Sequence, residues 1–278
     1  MTEIIFSLII LAGSFLAGLL GSLTGLGGGV VIIPMLTLLF GVDIHYAIGA
    51  SLVSVIATSS GAAAAYVKEG ISNIRIGMFL EIATTSGAVA GAMIAIYAPT
   101  HIIAVIFGFV LIFSAAISLK KKNEIVIQTD GGKIAKALKM NSSYPTAEGI
   151  VNYNVQHVPA GFFMMIVAGI ISGLLGIGSG ALKVIAMDHF MKLPFKVSTT
   201  TSNFMIGVTA AASAGIYLER GYINPGLAMP VVLGVIAGAF TGSKILVKAD
   251  AKGLRILFAF VITFLAIQMI YNGLAGKI

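Results

Sequence analysis

The chain has 278 residues, 58% of them apolar and 10% charged, with a mean hydropathy of +1.04. Soluble domains carry about 25% charged residues, so a water-soluble globule of this size lacks the polar surface to cover itself, which excludes a cytosolic enzyme and a disordered chain. The absence of cysteine removes thiolate metal sites, iron–sulfur clusters and disulfides, and the net charge of +7 lies in loops between apolar runs, where basic residues set membrane orientation rather than bind nucleic acid.

The first apolar run covers 4–23; Glu3 precedes it and no Lys or Arg does, so it lacks the basic start of a cleaved signal peptide and is expected as a mature helix. Apolar residues then continue through Gly25-Leu26-Gly27-Gly28-Gly29 to Phe40. One helix over 4–40 would be about 55 Å long, well beyond a hydrocarbon layer of about 30 Å. The glycines and Pro34 supply the break. Spanning-length runs follow at 47–66, 76–97 and 101–119, then a polar stretch at 120–158 opened by Lys120-Lys121-Lys122. The next run, 160–178, leads into a second glycine cluster, Gly176, Gly178 and Gly180, continuing to Leu193, and the last runs are 198–217, 226–247 and 253–272. None alternates at period two, which argues against a β-barrel. The expectation is an all-α polytopic membrane protein, multi-pass in the cell membrane, with eight full spans and two broken Gly-rich helical hairpins. It divides into a first transmembrane repeat (1–120), a cytoplasmic loop (121–158) and a second repeat (159–278). In the loop, Ile125-Val126-Ile127 and the partly alternating 150–155 predict a small β-hairpin, with a flexible linker as the alternative.

The two halves align without a gap at an offset of 151. Gly25, Gly27 and Gly29 match Gly176, Gly178 and Gly180; Ser51 and Thr58 match Ser202 and Thr209; Tyr66, Gly70 and Asn73 match Tyr217, Gly221 and Asn224. Loop charge gives the relative orientation. The Lys-rich 120–158 stretch belongs inside, and so does the loop 68–75, whereas 41–46 and 97–101 lack Lys and Arg and belong outside. Re-entrant glycine hairpins would leave Lys244, Lys248, Lys252 and Arg255 outside; hairpins that cross twice put them inside with Lys192 and Lys196. The prediction is therefore two inverted repeats of about five helical segments each.

Inverted halves with helices broken in corresponding positions are how secondary transporters build a site near the repeat interface. Unwound glycine segments expose backbone N–H groups to an anion, which makes Gly25, Gly27, Gly28, Gly29, Gly176, Gly178, Ser179 and Gly180 candidate binding residues; the plain alternative is close helix packing. Lys183, inside an apolar run, replaces Ile32 of the first half and could hold the anion or pair with Asp188. Ser51 and Thr58 share a helix face, as do Ser202 and Thr209, and with Thr201 and Asn203 they offer neutral donors, although such hydroxyls also bond to their own helix. Asp188, His189 and Glu81 are candidate coupling groups; the competing expectations are a cytoplasmic-end position for the first two and pairing of Glu81 with Arg75 or Lys68.

The string Gly25 to Pro34, the following Ala47-Ile-Gly-Ala-Ser51, Tyr66-Val-Lys-Glu-Gly70, and the second copy's Gly176-Ile-Gly-Ser-Gly180, Thr200-Thr-Ser-Asn203 and Tyr217-Leu-Glu-Arg-Gly221 resemble the sulfite exporter TauE/SafE family of membrane permeases. The resemblance covers nearly the whole chain outside 120–158 and implies transport of small sulfur-containing anions such as sulfite and organosulfonates. Ile185 in place of Pro34, and Ser179 in place of Gly28, predict a less sharply bent second break. The expected function is secondary transport by alternating access, with an anion channel as the alternative and an intramembrane hydrolase using Ser179 and His189 as the remote one. The expected partners are a small anion and the lipid bilayer, with a homodimer left open; no cofactor and no metal is expected.

Overall fold

The computed structural model describes residues 3–24, 28–68, 70–119, 132–146, 149–246 and 251–278. Eight long helices carry the architecture: α1 (Glu3–Thr24), α3 (Ile44–Lys68), α4 (Ile74–Tyr97), α5 (Thr100–Leu119), α7 (Val158–Leu175), α9 (Phe195–Glu219), α10 (Pro225–Leu246) and α11 (Ala251–Leu274). They match the eight apolar runs. Two short helices, α2 (Gly29–Pro34) and α8 (Gly180–Ile185), each pass directly into one wide π-type turn, Met35–Leu39 and Ala186–Phe190. The bounds of α2 and its turn, and of α3, recur at an offset of 151 in α8 and its turn and in α9. Ile185 is followed by the same wide turn as Pro34, so the turn does not depend on proline's missing N–H.

Each half leans on the other. The first helix of each packs on the fourth of its partner, α1 on α10 and α7 on α4, while α3 lies on α9 and α5 on α11. The α4–α7 contact runs backbone to backbone: a Cβ added to Gly169 would strike the Thr84 carbonyl and one added to Gly173 the Ala88 carbonyl. Only glycine permits that approach. The same residue pairs advance together along both chains, so α4 and α7 run parallel. By contrast α3 and α9 run antiparallel: Gly49 abuts the carbonyl of Tyr222, just past the end of α9, whereas Asn73, just past the end of α3, donates its N–H to Thr201 near the start of α9 at 3.0 Å. The helices α5 and α11 are antiparallel too, with Gly273 beside His101 and Gly108 beside Ala266 and Ile270.

The central segment packs on one end of the bundle, here the loop face. It holds α6 (Lys133–Ala137) and an antiparallel hairpin of β1 (Ser142–Thr146) and β2 (Gly149–Tyr153), with Ser142 opposite Tyr153. The second strand falls where the alternation placed it. Its partner is the polar Ser-Ser-Tyr-Pro-Thr stretch, and the expected strand at 125–127 lies outside the described residues. Tyr144 and Tyr153 are buried in one apolar cluster with Ile76 and Leu80 of α4, and the Asn73 amide donates to the Tyr153 hydroxyl (2.8 Å) and the Met140 carbonyl (3.0 Å). Asn73 also caps α4 by accepting from the Ile76 N–H.

Large apolar side chains face outward along the bundle, among them Leu16 (59% exposed), Ile82 (63%), Phe163 (65%) and Phe260 (72%). Among the described residues, Ile74–Tyr97, Val158–Leu175 and Pro225–Gly242 are long and apolar enough to cross a membrane, and five shorter apolar helices accompany them. Such a surface is stable against hydrocarbon, not water.

Candidate functional site

The two breaks meet. The second is shaped by residues in the left-handed region, Gly176 (φ 65°), Gly178 (φ 71°) and Ser179 (φ 44°). Gly29 opens α2 directly against it: a Cβ there would lie 3.5 Å from the Gly176 carbonyl oxygen. The mirrored hydroxyls anticipated in the sequence hold the junction, Ser51 donating to the Gly176 carbonyl (2.9 Å) and Ser202 to that of Gly180 (3.2 Å). Gly28, Gly29, Gly176, Gly178, Ser179 and Gly180 are all buried, and the Ser179 hydroxyl has no hydrogen-bond partner. Serine at positive φ with an unused buried hydroxyl is a strained, polar feature in an apolar place. Gly25 and Gly27 lie outside the described residues.

One turn beyond the second break a charged chain begins. Lys183 is fully buried, and its ammonium donates to the Thr209 hydroxyl at 2.5 Å. That hydroxyl is 2.6 Å from Glu81 Oε1 and 2.9 Å from the Met205 carbonyl, to either of which its proton can be donated. Thr85 donates to the same Glu81 oxygen at 3.1 Å, while the buried Oε2 has no partner. Three helices from both halves, α8, α9 and α4, are thus joined by Lys183, Thr209 and Glu81. Beside Glu81 a cleft of about 470 Å³ lies between α4 and α9, walled by Met78, Ile82, Phe204 and Val208, with Thr85 and Ser86 as its other polar residues.

These contacts replace two pairings considered from the sequence. Glu81 does not pair with Arg75, whose guanidinium donates to the Lys139 carbonyl at 2.7 Å on the loop face. Lys183 turns to Thr209 and not to Asp188; Asp188 lies 3.6 Å from His189, which is 61% exposed. Both belong to the end of the broken segment, away from the break. The hydrolase pair is therefore not formed, since Ser179 and His189 occupy opposite ends of that segment. Thr58 bonds to its own helix through the Ser54 carbonyl, Thr201 ties α9 to Asn73 at the loop face, and Asn203 is half-buried on α9. Among the described residues no three His, Asp or Glu side chains gather where they could hold a metal ion.

The network was hidden from chain-local reading, but a signal existed. Glu81 and Lys183 are opposite charges inside apolar runs, and each stands against an apolar residue in the other repeat, Val232 and Ile32. Charges that break a duplication in complementary sign are candidates for each other.

Broken helices meeting at a buried polar chain, inside a duplicated bundle with an apolar exterior, define a polytopic membrane protein. The sequence pattern of the Sulfite exporter TauE/SafE family matches residues 10–269. The chain belongs to that family of membrane transporters. It is 30% identical to "Probable membrane transporter protein YunE" of Bacillus subtilis (strain 168) over 97% of this chain and 98% of the relative. Identity to "Probable membrane transporter protein YdhB" of the same organism is 27%, over 85% and 89% of the two chains. With "Probable membrane transporter protein MJ0441" of Methanocaldococcus jannaschii it is 24%, over 96% of each. No solved structure matches.

Proposed function

We propose that this protein is a secondary transporter that moves a small anion, sulfite or an organosulfonate, by alternating access between two inverted halves. The observation that carries the reading is Lys183, a cation with no exposure, one turn past a glycine break and held only through a neutral hydroxyl. An intramembrane ammonium is expensive and is retained where it meets a partner or a solute. Gly28, Gly29, Gly176, Gly178, Ser179 and Gly180 would bring backbone and one free hydroxyl to the same place, with Ser51 and Ser202 fixing the loops.

Helix direction supports inversion. If the broken segments did not count as crossings, α3 and α9 would be the second and sixth passes and would run the same way; they run oppositely, as the third and eighth of ten passes would. Contacts between the halves lie at both faces. The Asn73–Thr201 bond lies at the loop face, and at the other the His45 ring stacks on Tyr222 at 4.9 Å. Alternating access would open either set while the other holds.

The test is thermal stabilisation of the purified protein by sulfite, sulfate, thiosulfate and methanesulfonate. A ligand at a hundred times its Kd should stabilise by about 2.7 kcal/mol. Lys183→Ala should lose the effect, and Lys183→Met combined with Glu81→Gln, which removes both charges, should lose it while staying folded. No stabilisation by any of these anions would defeat the proposal.

A further inference from the structure

We infer that Glu81 is the proton-binding group of the transport cycle, loaded when the anion takes Lys183 from it. This rests on the anion site proposed above and adds the coupling ion. Glu81 is 8% exposed, and of its two oxygens one accepts from Thr209 and Thr85 while the other is buried without a partner. An ionised carboxylate offers about four acceptor positions, so half of this one's capacity is unmet.

Its compensation comes from one direction. On α4 itself the next charged group, Arg75, is exposed and committed to the Lys139 carbonyl. The α7 helix, Val158–Leu175, which packs along α4, contains no titratable side chain. From α9 comes the neutral Thr209, and from α8 the ammonium of Lys183. Apart from Thr85 and Ser86 the neighbouring cleft is apolar. Among the described side chains, Lys183 is therefore the one cation joined to Glu81, through the Thr209 hydroxyl.

An anion that binds Lys183 uses the same positive charge. Glu81 is then left as a second negative group in a poorly solvated place, and both opposite-charge loss and like-charge proximity favour its neutral form. A proton taken from solvent adds to the carboxylate, and nothing leaves. The unmet Oε2 is the oxygen free to receive it, and the resulting O–H is a donor where the structure now has none. The mirrored position cannot do this, because Val232 and Ile32 replace the charges and Thr58 bonds to its own helix. The carrier consequently moves about one proton with each anion, and a monoanion crosses without net charge.

The experiment uses the full-length protein in weakly buffered detergent solution near neutral pH, with methanesulfonate and sulfate as probes because neither changes protonation there. The wild type should take up about one proton per anion bound, with affinity falling as pH rises by up to about tenfold per pH unit. Glu81→Gln should bind without proton uptake and with affinity that no longer follows pH. An infrared difference spectrum on anion addition should show the carbonyl band of a newly protonated carboxylic acid, shifted in Glu81→Asp, which serves if Glu81→Gln does not fold. Anion binding to the wild type without proton uptake, or an infrared band indifferent to Glu81→Asp, overturns this inference and leaves the anion site standing. Absence of binding by both probes, together with no stabilisation by sulfite or thiosulfate, overturns both.

Discussion

Thr209→Val keeps the side-chain volume and deletes the hydroxyl that joins Lys183 to Glu81. The loss includes two bonds to charged partners, at 2.5 Å and 2.6 Å. Bonds to charged groups contribute about 1.5–3 kcal/mol each. In a bilayer the values fall toward the lower end, because the unfolded chain finds other partners there; the expected loss is about 3 kcal/mol. Equilibrium unfolding in mixed micelles measures it, with Thr209→Ser as the variant that retains the hydroxyl and should lose about 1 kcal/mol through its missing methyl. Thr58→Val is the matched control at the mirrored position, where the hydroxyl serves only its own helix; it should change stability by less than about 0.5 kcal/mol. A Thr209→Val protein as stable as wild type would show that the three side chains do not act as a connected unit.

Gly91→Ala places a Cβ against the Ile170 carbonyl, and such overpacking should destabilise by about 2 kcal/mol; Gly215→Ala, which faces open space on α9, should instead gain up to about 1 kcal/mol in the same unfolding assay. Burial pushes the Tyr153 hydroxyl above its ordinary value of 10.0. The folded state therefore holds this proton more tightly than the unfolded one, and stability falls as pH rises from the ordinary value through the raised one; Tyr153→Phe should lose this alkaline decline, read from melting midpoints against pH. Single cysteines at Ala98 and Ala251 in this cysteine-free chain should react with an impermeant maleimide from opposite sides of the membrane, and same-side labelling would discard inversion.

Much of this architecture was legible in the sequence, for a physical reason. A helix that must bury its backbone polar groups in lipid declares itself as an apolar run of fixed length, and a duplication repeats those runs at one offset. The broken segments were visible because 4–40 is too long for one crossing. Pairing across helices was not visible. Periodicity tells which residues share a face of α4, but not that this face meets α9, so the sequence offers Glu81 only the nearest cations along the chain, Arg75 or Lys68. Thr209 was legible as a neutral donor matching Thr58, and it does bond to the Met205 carbonyl; only the fold brings Lys183 within reach. The strand β1 escaped the sequence reading because it is polar. Tyr144, its buried residue, sits among serines, proline and threonine, where hydrophobic patterning gives no signal.

The exchange of first and fourth helices between halves has a consequence for biogenesis. By the time α1 has left the ribosome, the helix it must settle against, α10, is still about 200 residues from being made. At 5–20 residues per second, that is a wait of about 10 to 40 s. Throughout it, the glycine seam of the nascent helix has only lipid, or whatever the insertion machinery offers, to rest on. Completion of the molecule is therefore a late event, set by the arrival of the second half, and a chain stalled or truncated before α10 should be handed to quality-control proteases with its first helix still unclaimed.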